Sequence, residues 1–318
     1  MTGDNMAPKV IVITGPTASG KTALSIALAE RLGGEIVGAD SMQIYKYMDI
    51  GTAKPTEGEK RGVPHHVIDC VSPFESYSVS RYIDDADAAI ADILSRGKMP
   101  VIVGGTGLYI DSLISGRSFL PDGDGEVREK YSAEYDALGG EEMLRRLGEF
   151  DGESANKLHF NDKKRIVRAF EVYELTGMTI SAHNEYTKSI PPKYDAAKIA
   201  LSFKSRDDLY DRINKRVDAM MEAGLEREVR SLLNMGLSRK TTAMQAIGYK
   251  ELCAYLDGDC SLSDAVETIK MESRRYAKRQ LSFLRRFSDI HWILWDNPPY
   301  FEDGLRDSTA FLENFGIM

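Results

Sequence analysis

A glycine-rich motif near the start of the chain constrains the fold more than any other feature. Residues 15–22 read Gly-Pro-Thr-Ala-Ser-Gly-Lys-Thr, the pattern G-x-x-x-x-G-K-[ST], and they follow the apolar run Val10–Ile13. Such a turn between a buried strand and a helix directs successive backbone N–H groups at an anion. The good helix formers over Ala23–Arg31 add the positive end of a helix dipole. We therefore predict a strand, a loop that holds phosphate or diphosphate, and a helix.

The residues of this motif, called the phosphate loop from here on, have separate expected tasks. Gly15 and Gly20 let the chain curl around an anion. Lys21 supplies a positive charge for the outer phosphates, and the Thr22 hydroxyl is placed to hold Mg²⁺. A glycine-rich turn without a ligand is the alternative, and the strand–loop–helix context favours the ligand.

Composition excludes several classes of protein. The 318 residues, 42% hydrophobic and 28% charged, are typical of one large domain with a smaller one. No apolar stretch reaches the roughly 18 to 20 residues that span a bilayer, and the polar first residues are unlike a signal peptide. The cysteines Cys70, Cys253 and Cys260 form no C-x-x-C pair. We therefore expect a cytoplasmic protein without a membrane partner or a zinc site.

The charge is unevenly distributed. The net charge of −8 argues against a nucleic-acid partner, but basic residues cluster over Lys157–Arg168 and Arg274–Arg286. The distribution matters more than the sum. Both stretches are either solvated helix faces or a surface for nucleic acid, and the charges alone do not decide between these readings.

Apolar strands that alternate with helices predict an α/β fold, a parallel sheet with helices on both faces. The predicted strands are Val10–Thr14, Glu35–Ala39, Val67–Cys70, Met99–Val103, Lys198–Phe203 and His291–Trp295. Helices are predicted at Ser80–Arg96, 206–235 and 262–287. Ligands gather at the carboxyl ends of parallel strands. The phosphate loop, Asp40 and the turn Gly104–Gly107 all follow such ends.

A second region differs in character. Residues 124–185 are polar and helical, with the clearest helices at Glu141–Glu149 and Lys163–Thr176, and Pro191-Pro192 marks the exit. We therefore predict a core of residues 1–118 and 198–318, interrupted by a smaller all-helical insertion domain over 119–197.

Several further segments match one family in order and spacing. They are Asp40–Tyr45, Met48–Pro55, Gly62–His66, Gly104–Tyr109, Asn161–Ala169, Arg212–Val217, Ala246–Glu251 and Tyr276–Gln280. With the phosphate loop, they resemble the bacterial tRNA dimethylallyltransferases, also called tRNA isopentenyltransferases, from about residue 10 to about residue 290. The run Met-Asp-Ile-Gly-Thr-Ala-Lys-Pro at 48–55 is much more specific than the phosphate loop.

The resemblance implies both a fold and a reaction. The fold would be a P-loop NTPase-like parallel sheet. The reaction would move a dimethylallyl group from dimethylallyl diphosphate to N6 of adenosine 37, in tRNAs that read codons beginning with U, with Mg²⁺ as cofactor. The implied partners are the tRNA anticodon stem-loop and dimethylallyl diphosphate, and we expect a monomer. The phosphate loop would then hold a prenyl diphosphate.

Three residues would carry the chemistry under this interpretation. Asp40, a carboxylate at a strand end near the phosphate loop, is the expected general base for the proton that N6 loses. Thr22 would hold Mg²⁺, and Arg216 would stabilise the departing diphosphate. For Asp40, the roles of Mg²⁺ ligand and helix cap remain open.

The resemblance also implies two contact sets. The diphosphate would contact Gly15, Thr17, Ala18, Ser19, Gly20, Lys21, Thr22, Thr106 and Arg212. The tRNA would contact Asp40, Ser41, Met42, Gln43, Thr106, Arg128, Lys164, Arg165, Ile166, Val167, Arg168, Gln245 and Lys250, with further candidates in Arg274–Arg279. Gln43 has the groups for a bidentate pair with an adenine edge. A surface or structural ion pair for Arg212 and a turn-stabilising role for Thr106 remain open.

Other functions share parts of this pattern. A small-molecule kinase would use ATP in the same loop, with 119–197 as its lid. An adenylate isopentenyltransferase would prenylate free nucleotides, but the long insertion and the basic helices favour tRNA. A non-enzymatic nucleotide switch would leave the other site residues idle. We expect His65 and His66 to bind no metal, and we assign Trp292 and Trp295 to packing.

Overall fold

The computed structural model describes residues 7–117, 119 and 125–318. The strands in this part are β1 (Lys9–Thr14), β2 (Glu35–Gly38), β3 (His65–His66), β4 (Pro100–Gly104), β5 (Asp195–Phe203) and β6 (Ile290–Trp295). The helices are α1 (Lys21–Leu32), α2 (Glu57–Lys60), α3 (Val79–Ser95), α4 (Gly107–Ser115), α5 (Glu126–Leu138), α6 (Gly140–Gly148), α7 (Gly152–Lys157), α8 (Lys163–Thr176), α9 (Ile180–Ser189), α10 (Arg206–Ala223), α11 (Leu225–Asn234), α12 (Tyr249–Asp257), α13 (Leu262–Leu284) and α14 (Phe301–Asn314).

The six strands form one sheet in the order β3-β2-β4-β1-β5-β6, and every pair is parallel. β1 lies inside the sheet. Its Ile11 and Ile13 pack into one apolar cluster, and its Val10 and Val12 pack into another. Because side chains alternate along a strand, an unbroken apolar run is what burial on both faces requires. The predicted fold class is confirmed. No helix in the described residues is long and apolar enough to cross a membrane.

The third predicted strand is wrong. The structure places β3 at His65–His66, where it pairs with Ile36 and Val37, and not at Val67–Cys70. The apolar character of Val67 suggested a strand, but Val67 and Asp69 have φ values of 57° and 54°. This left-handed backbone cannot continue a strand. Both histidines therefore belong to the strand itself.

The helical region predicted over 206–235 contains two helices, α10 and α11. Gly224, with φ 101°, ends α10, and its N–H is bonded to the carbonyls of Met220 and Met221. Glycine takes this left-handed conformation without steric cost. The break turns the chain between two helices that each contribute to the site.

The chain divides into two compact units, which are described separately. The first holds the described residues up to Ile114 and Lys193–Met318, and the second is Ser115–Pro192. The predicted insertion, 119–197, extends beyond the end of this second unit. The reason is that β5, which belongs to the first unit, already begins at Asp195, where it pairs with Lys9. Residue 118, the predicted boundary of the core, lies outside the described residues. The second unit contains α5–α9 around a core of Met143, Leu147, Ile166, Ala169 and Phe170.

The carboxyl ends of the strands position the site in the first unit. β1 leads into the phosphate loop, β2 into Asp40, β4 into the Gly104–Gly107 turn, and β5 into α10. The ends of β2 and β4 approach closely: a Cβ on Gly104 would lie 2.0 Å from the carbonyl oxygen of Ala39. Only glycine fits there, so this contact brings Asp40 beside the turn after β4.

Candidate active site

The phosphate loop has the backbone of an anion site. Gly15 has φ 144°, and a Cβ there would lie 2.4 Å from the carbonyl oxygen of Leu201. Gly20, with φ 91°, precedes α1, which has no side-chain cap and no acidic residue in its first turn. The first N–H groups of a helix have no intrahelical acceptor. Those of α1 are therefore available to an anion, which the helix dipole also favours.

Two side chains of this loop also indicate that it binds an anion. The Ser19 hydroxyl, in a residue only 1% exposed, has no hydrogen-bond partner among the described residues. The Lys21 ammonium donates to the carbonyl of Pro16 at 2.8 Å. Burial, and after it the charge of Arg216, lower the pKa of Lys21 to about 8, although the charge of Asp40 opposes both effects. A buried unpaired hydroxyl beside a desolvated cation is an arrangement that an anion would complete.

Gln280 of α13 joins the phosphate loop to the turn after β4. Its amide oxygen accepts from the N–H of Thr17 at 3.3 Å, and its amide nitrogen donates to the carbonyl of Gly105 at 2.8 Å. A Cβ on Gly105 would lie 2.2 Å from that nitrogen. Gln280 lies outside the predicted site because nothing local in the sequence shows that α13 reaches a loop more than 260 residues earlier.

Two further side chains donate hydrogen bonds to backbone carbonyl groups of the phosphate loop. The Arg212 guanidinium donates to Ala18 at 3.3 Å, and the Trp295 indole N–H donates to Ser19 at 2.8 Å. Assigning Trp295 to packing was therefore incomplete. The Arg212 contact is with the loop backbone and is not a surface ion pair.

Asp40 lies among charges. Its Oδ1 accepts from the N–H of Met42 at 2.9 Å and, more weakly, from that of Gln43 at 3.4 Å, so Asp40 stabilises the turn after β2. Its charge also acts on Lys21 and Arg216, since it raises the pKa of each against the effect of burial. Asp40, Lys21 and Arg216 are therefore near neighbours in one cavity.

Arg216 and Tyr276 complete the surroundings of Asp40. Burial lowers the pKa of Arg216, while Asp40 and Glu59 oppose the shift. Burial, and after it the negative charge of Asp40, raise the pKa of Tyr276 to about 12. Tyr276 is thus a neutral hydroxyl beside the carboxylate at neutral pH. The family resemblance includes Tyr276, but no local sequence pattern shows that α13 brings this residue beside Asp40.

Thr106 stabilises the turns at the ends of β2 and β4. Its hydroxyl accepts from the N–H of Ser41 at 3.0 Å, and its own N–H donates to the carbonyl of Ala39 at 3.2 Å. The turn-stabilising role is therefore present in the structure. The contacts of Thr106 with diphosphate or tRNA stay predictions.

A cavity of about 1200 Å³ brings together most of the predicted residues of the first unit. It is lined by Thr17, Ala18, Ser19, Gly20, Lys21, Thr22, Asp40, Ser41, Met42, Gln43, Arg212, Arg216, Gln245 and Lys250. Gly15 and Thr106 support its wall without lining it. The lining also includes an apolar set: Ile213, Val217, Met220, Leu225 and Ile269. The cavity therefore combines an anion site, a carboxylate and an apolar surface.

The oxygen atoms that line the cavity would supply only part of the coordination shell of a magnesium ion. No group of three or more His, Cys, Asp and Glu side chains that could hold a metal is found in the described residues. Thr22 and Asp40 line the cavity beside the anion site. Mg²⁺ commonly takes one or two protein oxygens, with waters and substrate phosphates as its other ligands. The donor set agrees with that mode.

In the second unit, two predicted tRNA contacts form ion pairs. Arg128 and Arg168 both donate to the carboxylate of Glu171, at 3.0 Å and 2.8 Å. Glu171 is fully buried, and an unpaired buried carboxylate would be costly. These arginines therefore have a structural task. Their contact with tRNA stays a prediction.

The other predicted contacts of this unit differ in exposure. Lys164 and Arg165 are exposed on α8, and Arg165 lies 3.7 Å from Asp162. Ile166 and Val167 are at most 4% exposed, and Ile166 packs in the core of this unit, so neither side chain is available to a ligand. Contact of these two positions with tRNA stays a prediction, and it would have to be made by their backbone.

Comparison with known proteins agrees with this geometry. A family model described as IPP transferase matches residues 43–287, and one described as Isopentenyl transferase matches residues 8–69. The tRNA dimethylallyltransferase of Acetivibrio thermocellus is 48% identical over 309 residues, which are 97% of this chain and 98% of that protein. The tRNA dimethylallyltransferase of Caldanaerobacter subterraneus is 47% identical over 95% of this chain and 96% of its own.

Solved structures give the same result. The tRNA delta(2)-isopentenylpyrophosphate transferase from Staphylococcus epidermidis is 41% identical, with a TM-score of 0.71, over 96% of this chain and 99% of its own. A eukaryotic dimethylallyltransferase acting on tRNA is 31% identical, with a TM-score of 0.80, over 97% of this chain and 80% of its own. None of these relatives supports the kinase alternative. The chain belongs to the IPP transferase family, together with the tRNA dimethylallyltransferases.

Proposed function

We propose that this protein transfers a dimethylallyl group from dimethylallyl diphosphate to N6 of adenosine 37, in tRNAs that read codons beginning with U. One observation carries the proposal. A single cavity holds an anion site with an unpaired buried hydroxyl, a carboxylate within electrostatic reach of two cations, and an apolar surface. A site that binds a prenyl diphosphate and transfers its prenyl group to an amine needs all three. We expect the enzyme to act as a monomer.

The reaction breaks the bond between C1 of the allyl group and the diphosphate oxygen, and it forms a bond between C1 and N6. The electrons of the C–O bond leave with the diphosphate, so negative charge grows on the leaving group. Lys21, Arg216 and the N–H groups of the phosphate loop are already in place to stabilise that charge. Groups fixed before the reaction lower the barrier without reorganisation.

Asp40 accepts the proton that N6 loses. Its Oδ1 is held by the N–H groups of Met42 and Gln43, which fixes the direction of the carboxylate. A positioned general base typically contributes about 10²–10⁴-fold.

Mg²⁺ is the proposed cofactor. Thr22 would hold it, and the carboxylate of Asp40, which lines the same cavity, would offer a second oxygen ligand. When bound, the ion would neutralise charge on the diphosphate as it leaves.

The basic residues of each unit would bind tRNA. In the first unit, the exposed Arg275, Lys278 and Arg279 lie on α13, the helix whose Tyr276 and Gln280 reach the cavity. In the second unit, Lys164 and Arg165 are exposed. Contacts with RNA phosphates release counterions, so we propose that the affinity for tRNA falls steeply with salt.

The test is a transfer assay with labelled dimethylallyl diphosphate and three acceptors. They are an anticodon stem-loop with adenosines at positions 36 to 38, free AMP and free ATP. Label on the stem-loop alone, lost when adenosine 37 becomes guanosine, is the expected result. Label on AMP or ATP would identify an adenylate isopentenyltransferase. Phosphate transfer from ATP without use of the prenyl donor would identify a kinase.

A further inference from the structure

The Met48–Pro55 segment is the most specific motif in the sequence, and its residues take no direct part in the proposed chemistry. Gly51 and Thr52 reach the cavity wall, while Met48 is fully buried. The segment is also irregular, and Ala53 has φ 49°. Its conformation therefore has to be held by other parts of the protein.

Glu228 of α11 holds the first half of this segment. Its carboxylate accepts from three consecutive N–H groups, those of Asp49 at 2.9 Å, Ile50 at 2.8 Å and Gly51 at 3.1 Å. It also accepts from the Tyr249 hydroxyl at 2.6 Å. Successive N–H groups that converge on one anion form a nest. Here the anion is supplied by a side chain almost 180 residues away along the chain.

Packing and charge hold the rest of the segment. The ring of Tyr249 lies so close that a Cβ on Gly51 would be 2.5 Å from its Cε2 atom. The Lys54 ammonium donates to the carbonyl of Tyr45 at 2.5 Å and to the carboxylates of Asp49 and Asp69 at 2.6 Å and 2.7 Å. Both ends of the segment are thus fixed.

The segment in turn fixes Gln43. The amide nitrogen of Gln43 donates to the carbonyls of Thr52 at 3.0 Å and Ala53 at 3.1 Å. Both partners are backbone carbonyl oxygens, which only accept, so the atom between them has to be the nitrogen. Both N–H donors of the Gln43 amide are therefore occupied, and its amide oxygen remains available to a ligand in the cavity. This argues against the bidentate pair expected from the sequence.

We propose that the Met48–Pro55 segment, held by Glu228, is a positioning device that makes Gln43 a hydrogen-bond acceptor for the base in the cavity. This inference rests on the proposed function. A fixed acceptor selects a base that carries a donor, as the exocyclic amine of adenine does, and disfavours the carbonyl oxygen at the same place in hypoxanthine. Glu228 and Tyr249 act through Gln43 and are positioning residues, not catalytic ones.

The test compares binding of two stem-loops, with adenosine or inosine at position 37, to the wild type and to Glu228→Gln. Glutamine replaces one acceptor oxygen by an amide nitrogen, so it cannot satisfy all three N–H groups. The variant should bind the adenosine stem-loop about tenfold more weakly and lose most of the preference over inosine. Its KM for dimethylallyl diphosphate should stay within about twofold, because the phosphate loop is held by other residues.

Two further variants keep the result interpretable. Glu226→Gln is the matched control, because Glu226 lies on the same helix and forms a surface pair with Arg230 at 2.7 Å. It should match the wild type in both assays. Tyr249→Phe retains the ring against Gly51 and removes one bond to Glu228. It should shift base preference in the same direction by a smaller factor, even if Glu228→Gln folds poorly.

The possible failures can be told apart. An unchanged base preference in both Glu228→Gln and Tyr249→Phe would overturn the inference and leave the proposed function standing. An equal loss for the RNA and for dimethylallyl diphosphate would also overturn it, since that pattern marks a general structural defect. A wild-type protein that prenylates no RNA would overturn the proposed function, and the inference with it.

Discussion

The phosphate loop and the Met48–Pro55 segment both line one cavity, but they are built in different ways. The phosphate loop takes its shape from its own glycines and is supported by Gln280, Arg212 and Trp295, but its ligand-binding groups are its own N–H groups and side chains. In the Met48–Pro55 segment, the N–H groups of Asp49, Ile50 and Gly51 are already occupied by Glu228. The N–H groups of the phosphate loop are available to an external anion, whereas those of the Met48–Pro55 segment are occupied by the carboxylate of Glu228.

This difference separates two tasks. A loop with available N–H groups can bind a diphosphate and release it. A loop whose N–H groups are satisfied internally is rigid, so it can orient a neighbouring side chain. We therefore expect changes in the phosphate loop to affect the prenyl donor, and changes in the Met48–Pro55 segment to affect the RNA.

The largest effect is expected at Asp40, which lies beside both loops. Asp40→Asn should lower the rate of transfer at saturating substrates by at least about 100-fold, because asparagine cannot accept the proton from N6. Binding of diphosphate should be largely retained. Single-turnover rates and diphosphate titrations measure the two quantities. Normal turnover would remove Asp40 from the mechanism, and a loss of Mg²⁺ affinity would make it a metal ligand.

Paired alanine substitutions test the separation of tasks. Gly15→Ala places a Cβ against the carbonyl of Leu201, and Gly51→Ala places one against the ring of Tyr249. Each should cost about 1–3 kcal/mol of stability, and the displaced loop should weaken binding of its own ligand by about tenfold, which corresponds to about 1.4 kcal/mol of binding free energy. Gly15→Ala should raise KM mainly for dimethylallyl diphosphate, and Gly51→Ala mainly for RNA. Equal changes in both constants for both variants would show that the two loops act as one unit.

The pH dependence distinguishes the donor from the RNA. The pKa of Lys21 is lowered to about 8, so its charge is present below that pH and is lost as the pH rises through it. The value of kcat/KM for dimethylallyl diphosphate should then fall above pH 8, by up to about tenfold per pH unit. Lys21→Arg, which stays charged, should be slower but show no such fall. A flat wild-type profile between pH 7 and about 9.5 would contradict the assignment.

The smallest effect is expected at Trp295. Trp295→Phe removes the hydrogen bond to the carbonyl of Ser19 and keeps most of the apolar ring. A neutral hydrogen bond is worth about 0.5–1.5 kcal/mol, so KM for dimethylallyl diphosphate should rise severalfold, with the affinity for RNA unchanged. Steady-state kinetics with each substrate varied in turn checks both values. A change in RNA affinity alone, with KM for dimethylallyl diphosphate unchanged, would show that Trp295 does not support the phosphate loop.

The sequence was most informative where function depends on neighbouring residues. The apolar run at β1, the glycines of the phosphate loop and the position of Asp40 after β2 are local patterns, and they predicted the sheet and the ends of its strands. The left-handed backbone at Val67 and Asp69 could not be predicted, because valine rarely adopts it. The burial of Ile166 and Val167 was also missed, since a basic run drew attention to charge and not to the apolar face of the helix.

The missed residues share one physical property. Gln280, Trp295 and Glu228 act over separations of about 180 to 280 residues, which no local pattern encodes. Each satisfies backbone groups of a loop at a strand end, and such groups need partners when they are buried. A search for these partners would require the fold in advance.

The central claim is that a loop of the nucleotide-binding type here holds a prenyl diphosphate. The most direct measurement counts diphosphate released against prenylated adenosine formed, with either dimethylallyl diphosphate or ATP as the donor. We predict one diphosphate for each prenylated adenosine and no phosphate release from ATP. Phosphate release from ATP, with no prenylated RNA from the isoprenoid, would contradict it.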